Sequence, residues 1–355
     1  MKLIHTADLH LGASSTTHFS ATVARKRRRE LLQTFGAIAD LAVSEGARAV
    51  LIAGDLFDTA NPSAETVDYV IGTVRRTPGI RYFCLPGNHD GGRFPDVPLP
   101  ENLTVFSDRW ERHTLDDVDV YGIATDTPLP YEELLPDSAR KNVVLLHGAV
   151  REGGKNAAGA VILSRLAGRG IDYLALGHYH AHSCGRIDGR GLYAYAGTPA
   201  GRGFDEVGET GVLILDTDDL TAEPVFRSVG ARPIAIVETD LSGIASFRDI
   251  EGAVARAIAP LSEKAIVRVV LTGALPPEAP RRDLLHLSEV FGDRFFHFEA
   301  VDKTRLLLDL ATYENSLSLK GEFIRRVKAT AMSEEDKDTV IAAGLAALRG
   351  EEIGL

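Results

Sequence analysis

Five short apolar runs, each breaking onto Asp, Asn or His, constrain this chain more than any other feature. Residues 49–53 run into Gly54-Asp55-Leu56-Phe57-Asp58. Apolar β-formers that end at Gly-Asp read as a buried strand delivering a carboxylate to the rim of a sheet. The same grammar delivers Asp8 and His10 after residues 3–7, Asn88 and His89 after 81–85, His147 after 143–146, and His178 and His180 after 173–176. Strands that empty into one place would gather two Asp, one Asn and four His as oxygen and imidazole donors, a mixture that suits Mn, Fe or Zn better than Mg or Ca. That is more than one ion needs. Two ions about 3.5–4 Å apart would clamp a phosphoryl group and acidify the attacking water. Asp55 is the candidate bridge.

The order Asp-x-His, Gly-Asp-x-x-Asp, Gly-Asn-His-Asp, a strand-ending His and Gly-His-x-His covers roughly the first 200 residues and resembles the calcineurin-like metallophosphoesterase superfamily. Within it, residues 5–12 (His-Thr-Ala-Asp-Leu-His-Leu-Gly), the form of 54–58 and an appended C-terminal domain are similar to SbcD-type DNA repair nucleases. The resemblance implies an α/β fold, a four-layer αββα sandwich with a smaller C-terminal α/β capping domain and a helical tail. The corresponding spans are residues 1–230, 231–310 and 311–355. It further implies a manganese-dependent phosphodiesterase in which Asp8, His10, Asp55 and His180 hold one divalent ion while Asp55, Asn88, His147 and His178 hold the other. DNA is the implied substrate, and an SMC-like ATPase the implied partner; pairing of two copies stays open.

The residues themselves suggest further roles. Asn88 offers a neutral oxygen, which keeps the site cationic enough for a phosphodiester. His89 is not needed as a ligand; it reads as the general acid for the departing sugar oxygen, as a cation beside the transition state, or as a group that orients Asn88 or a carboxylate. Asp58 is expected behind the ligands. Arg202, in a polar Gly-rich loop, is a candidate for substrate contact or for a tight surface turn. His5, His18, His113, His182, His286 and His297 are expected to be structural.

A net charge of −11 argues against a nucleic-acid binder that works by bulk electrostatics, although two divalent ions would add about four positive charges where phosphates must sit. The run Arg25-Lys26-Arg27-Arg28-Arg29 opens a helical pattern over 21–45 and reads as a solvated face rather than a phosphate patch. Two cysteines, one inside a strand, argue against a structural disulfide, and the absence of an apolar span or signal-like start leads us to expect a cytoplasmic protein. Further helices are expected over 64–76, 246–259 and 281–291. Two more, carrying Leu317, Leu319, Phe323, Ile324 and Val327 and then Val340, Ile341, Leu345 and Leu348, form either a docking element or part of the second domain's core. The resemblance favours docking on the ATPase. The competing function is a phosphatase or phosphodiesterase for small phosphoesters, which has no use for residues beyond about 232.

Overall fold

In a computed structural model, residues 1–13, 19–124, 127–230, 232–276, 279, 282–307 and 316–348 are described, so His18 and the expected boundary near 310 lie outside the described residues. The chain divides into two compact units, Met1–Ile234 and Ala235–Leu355. The first is built from β1 (Lys2–Thr6), α1 (Ala21–Ser44), β2 (Ala47–Ala53), α2 (Ala64–Arg76), β3 (Arg81–Leu85), β4 (Leu103–Val105), β5 (Glu111–Leu115) and β6 (Val118–Gly122). It continues with β7 (Lys141–His147), β8 (Ala149–Arg151), β9 (Ala160–Ile162), α3 (Leu163–Leu166), β10 (Tyr173–Gly177), β11 (Ser183–Arg186), β12 (Leu192–Tyr195), β13 (Gly211–Asp216) and β14 (Val225–Ser228).

These strands form two six-stranded sheets, ordered β14-β13-β1-β2-β3-β4 and β11-β12-β10-β7-β6-β5. Both faces of each sheet are covered, which is why the central strands are continuously apolar rather than alternating. Along β2, Ala49, Leu51 and Ala53 enter a core shared with Val143, Leu145, Tyr173 and Ala175 of the other sheet. Val50 and Ile52 point the opposite way, onto Phe35 and Ile38 of α1 and Val67 and Val70 of α2. On the far side of the second sheet Val144, Leu146, Leu174 and Leu176 meet Leu163 and Leu166 of the one-turn α3. The layering is the expected αββα sandwich, with a slight fourth layer. Because β1, β2 and β3 run parallel to one another, as do β6, β7 and β10, the C-terminal ends within each sheet collect at one edge.

The basic run on α1 departs from expectation. Arg27 is fully buried: it donates to the Gly201 carbonyl and, at 3.2 Å, to Glu30. Arg232 closes on the same carboxylate, its Nε 2.8 Å away. Arg25, Lys26, Arg28 and Arg29 are exposed.

The second unit carries β15 (Ile234–Asp240), α4 (Phe247–Ile258), β16 (Ile266–Thr272), β17 (Ala274–Leu275), α5 (Leu284–Phe291), β18 (His297–Asp302), β19 (Arg305–Leu306), α6 (Leu319–Lys328) and α7 (Glu334–Ala347). A three-stranded sheet β15-β16-β18 packs on α4 and α5 through Leu241, Ile250, Val254, Val267, Val269 and Leu287. α5 starts three residues later than its pattern suggests, because Asp283 caps it by accepting from the His286 N–H. The helices α6 and α7 bury Ile324, Val327, Ile341 and Leu345 against each other, in a cluster separate from the core of the sheet. Leu317 and Leu319 stand outside that cluster and are strongly exposed: Ser318 caps α6, so Leu317 precedes the helix altogether. Both cysteines are free, and no described helix is long and apolar enough to cross a membrane.

Burial pushes the Glu30 carboxyl up, but Arg232 and Arg27 more than offset it and hold the group below the usual glutamate value. The resulting stability is fully present above the unfolded value of about 4.3 and is lost as pH falls through the lower folded value. Glu30→Ala, which leaves Arg27 buried without its carboxylate, should cost about 3–5 kcal/mol. Urea unfolding at pH 7 and pH 4 checks both: a loss under 1 kcal/mol at pH 7, or one that does not shrink at pH 4, would count against this role for the ion cluster.

Candidate metal centre

The strand-end residues reach the common edge on unusual backbone. Asp8, His10, Asp55 and His178 all have positive φ, at 52°, 46°, 51° and 107°. Non-glycine residues hold this region at a cost of order 1–3 kcal/mol each and persist there only when their surroundings fix them. Here the fixing is visible. Asp8 N–H donates to the Gly54 carbonyl and His10 N–H to the Asp55 carbonyl, each at 3.0 Å. Gly54, at φ +96°, lies against the His147 ring, and a Cβ there would collide with it.

Three groups of donors converge: Asp8, His10 and His180; Asp8, Asp55 and His147; and His10, Asp58 and His89. Asp8 is fully buried, and its two oxygens accept from the His178 N–H at 2.9 and 3.1 Å. Asp55 Oδ2 lies 3.8 Å from His10 Nε2 and 3.3 Å from His147 Nε2, while Oδ1 accepts from the His89 N–H at 2.8 Å. Asn88 Oδ1 is 2.9 Å from the same His147 Nε2. His178 stands apart. Its side chain joins none of these groups, and its ring is edge-on to His147 with centroids 5.5 Å apart.

Each inward histidine is held from behind. His147 Nδ1 donates to the Ala53 carbonyl at 2.9 Å, His10 Nδ1 to Asp58 at 3.1 Å and His180 Nδ1 to Glu206 at 2.8 Å. In the neutral form of these tautomers each Nε2 offers a lone pair inward, and His147, raised by Asp55, and His180, raised by Glu206, would give up a proton to a bound cation. His10 Nε2 and His180 Nε2 then face one another at 3.3 Å, two lone pairs across an electron-rich gap that suits a cation. Arg202 does not reach outward: it donates to Asp58 at 3.1 Å and twice to Glu206, tying together the carboxylates behind His10 and His180.

The charges point the same way. Burial pushes the Asp8 carboxyl up to about 7, against the pull of His147 and the His178 N–H, so its anion is costly without a cation beside it. Burial also pushes Asp55 up, but His147 reverses this and leaves the carboxylate low; His147 is correspondingly raised by Asp55. The hydrogen bond that His180 donates to Glu206 raises His180, and burial lowers His10. Buried carboxylates, inward lone pairs and a neutral amide oxygen fit a divalent metal. His89 is different: its side chain is 46% exposed, edge-on to His10 at the rim.

Glu206 and Asp90 escaped the sequence reading. Asp90 accepts from the N–H groups of Leu56, Phe57 and Gly87 at 3.2, 2.7 and 2.8 Å, stapling the loop of Asp55 to that of Asn88. Its one signal is its place at the end of Gly-Asn-His-Asp. Glu206 is signalled only by lying four residues after Arg202 in the polar loop. His5, buried between the Tyr173 hydroxyl and the Leu176 carbonyl, is structural, and burial lowers it to about 3.

A profile of the calcineurin-like phosphoesterase family matches residues 1–182. A DNA double-strand break repair protein Mre11 from Sulfolobus acidocaldarius is 25% identical over 312 residues, 80% of this chain and 78% of that one. One subunit of the nuclease SbcCD from Rhodobacter capsulatus is 30% identical over 102 residues, 28% of this chain and 24% of that one. Among solved structures, TT1561 of Thermus thermophilus matches 64% of this chain and 98% of its own at 13% identity, with a TM-score of 0.42, too loose to bear on function.

Glu206→Gln should weaken divalent-metal binding roughly 10–100-fold, the usual effect of removing the carboxylate behind a ligating histidine. Calorimetric titration with Mn²⁺, alongside circular dichroism as a check of the fold, measures this; an unchanged affinity would show that His180 needs no orienting partner.

Proposed function

Because this chain belongs to the calcineurin-like phosphoesterase family, we propose that it is a manganese-dependent DNA nuclease that hydrolyses phosphodiesters at a two-ion centre and works in DNA end processing. The observation that carries this is the placing of Asp55 Oδ2 between His10 Nε2 and His147 Nε2, with Asp8 adjoining both donor groups. Asp8, His10, Asp55 and His180 would hold one ion, and Asp55, Asn88, His147 and His178 the other. When bound, such ions supply a nucleophilic water of lowered pKa and a clamp on the phosphoryl oxygens.

The chain's own residues do the rest. Asp58, Glu206 and the Ala53 carbonyl fix the tautomers of His10, His180 and His147, so the donor atoms are aimed before anything binds. Asp90 holds Asn88 and Asp55 in register through backbone N–H groups. To His89, exposed at the rim, we assign the proton given to the departing sugar oxygen. Similarity to an Mre11 protein over 80% of this chain, well past the family domain, supports DNA as the substrate. The setting we propose is the cytoplasm.

We assign the α6–α7 pair to docking on an SMC-like ATPase. The pair has its own small core, and Leu319 and Met332 remain on its surface. A partner would also bring the DNA-binding charge that a chain of net charge −11 lacks. A second copy of this chain is compatible with the same assembly.

His89→Leu should retain Mn²⁺ and DNA binding and lower turnover about 100-fold or more, the scale of a lost general acid. The readouts are metal content after desalting and rates on linear DNA and on bis(p-nitrophenyl) phosphate; normal turnover on DNA removes His89 from the chemistry, and lost metal makes it a ligand.

Deleting residues 317–355 should leave a folded enzyme that still binds Mn²⁺ and cuts single-stranded DNA, while co-purification with the ATPase and ATP-stimulated cutting of duplex disappear. An unfolded product, or undiminished capture of the ATPase, would place docking elsewhere.

A further inference from the structure

The candidate centre shares a wall with a cavity of ≈ 360 Å³, at the low end of the range of small-ligand sites, roughly 300–1,000 Å³. Leu85, Ile123, Leu129 and Leu146 give it an apolar wall, Asn88 and His147 belong to both the cavity and the centre, and His178 lines the cavity beside them. Five of its described lining residues are glycines, so flat peptide surface takes the place of side chains over much of it. Among the described lining residues there is no Asp, Glu, Lys or Arg.

That chemistry rejects a phosphate, which would find no cation away from the centre, and it rejects a charged side chain. It accepts a flat, uncharged ring, whose burial removes apolar surface from water. The space suits one ring system, not a base pair. We propose that this cavity takes the base of the nucleotide whose phosphate lies at the centre, so that the strand is cut with that base turned out of its stack. The proposal rests on the phosphodiesterase reading and names which part of the substrate is gripped. A base in a duplex would first have to unpair, at a cost of a few kcal/mol that is least at frayed ends and in single strands. Single-stranded ends are therefore the preferred substrate of the nuclease acting alone.

The test uses the full chain with Mn²⁺. Calorimetry compares thymidine 5′- and 3′-monophosphate with 2-deoxyribose 5-phosphate, which presents the phosphate without a base. At least one thymidylate should bind on the order of tenfold tighter, the scale expected from burying the apolar part of one ring. Equal affinities overturn the proposal. Ala158 lies exposed among the lining residues, so Ala158→Trp fills the mouth without disturbing a core; there the advantage of thymidylate should vanish, and an advantage that persists also overturns it. Hydrolysis of bis(p-nitrophenyl) phosphate is measured in parallel. A protein that hydrolyses it but shows no preference for the base sinks the cavity alone, whereas a base preference without hydrolysis sinks the phosphodiesterase reading and keeps the cavity.

Discussion

The hydrogen bonds from the His178 N–H to the buried Asp8 carboxylate join the two sheets at the edge where the candidate donors gather. Asp8 follows β1 of one sheet and His178 follows β10 of the other. A second link, from His147 Nδ1 to the Ala53 carbonyl, repeats the pattern between β7 and β2. Both depend on strand register. Thr6 opposite Ile52 sets Asp8 beside Gly54, and Gly177 opposite His147 sets His178 beside it. A slip of one residue would turn Leu51 and Ala53 out of the core between the sheets and carry Asp55 to the wrong face, so burial of that core and alignment of the donors are one constraint.

Much of this was legible because the chemistry sits at the ends of the apolar runs themselves. Asp8, His10, Asp55, Asn88, His147 and His180 lie together because parallel strands end at one edge. The strain at Asp8, His10 and Asp55 was not legible, since Asp and His favour positive φ over most residues but far too weakly to mark a position. Glu206 and Asp90 were missed for a related reason. One acts through a histidine and the other through backbone N–H groups, and neither role imposes a spacing on the sequence. His178 adds a contribution that its sequence position did not suggest: its backbone N–H reaches Asp8, while its ring lies edge-on to His147.

Arg27 was misread for a reason that periodicity could have revealed. It lies in phase with Leu31, Thr34 and Ile38 on the buried side of α1, at steps of four, three and four, while the run of five basic residues suggested a uniform solvated surface. A charged residue in the buried phase of a helix calls for a buried partner, and Glu30 is three residues on. The C-terminal helices carry a similar lesson. Ser318 decides where α6 begins, and with it which leucines belong to its apolar stripe.

Arg202 has a consequence for how the two histidines behave together. A single planar guanidinium bonds Asp58 through one nitrogen and Glu206 through the others, so the supports of His10 and His180 share one anchor. Tilting one ring displaces the anchor and so reaches the other ring by way of two carboxylates. Lysine at this position could offer only a point charge on a flexible stem, without the fork that spans both acids. The position therefore calls for arginine by shape more than by charge, and makes the pair of rings a single mechanical unit.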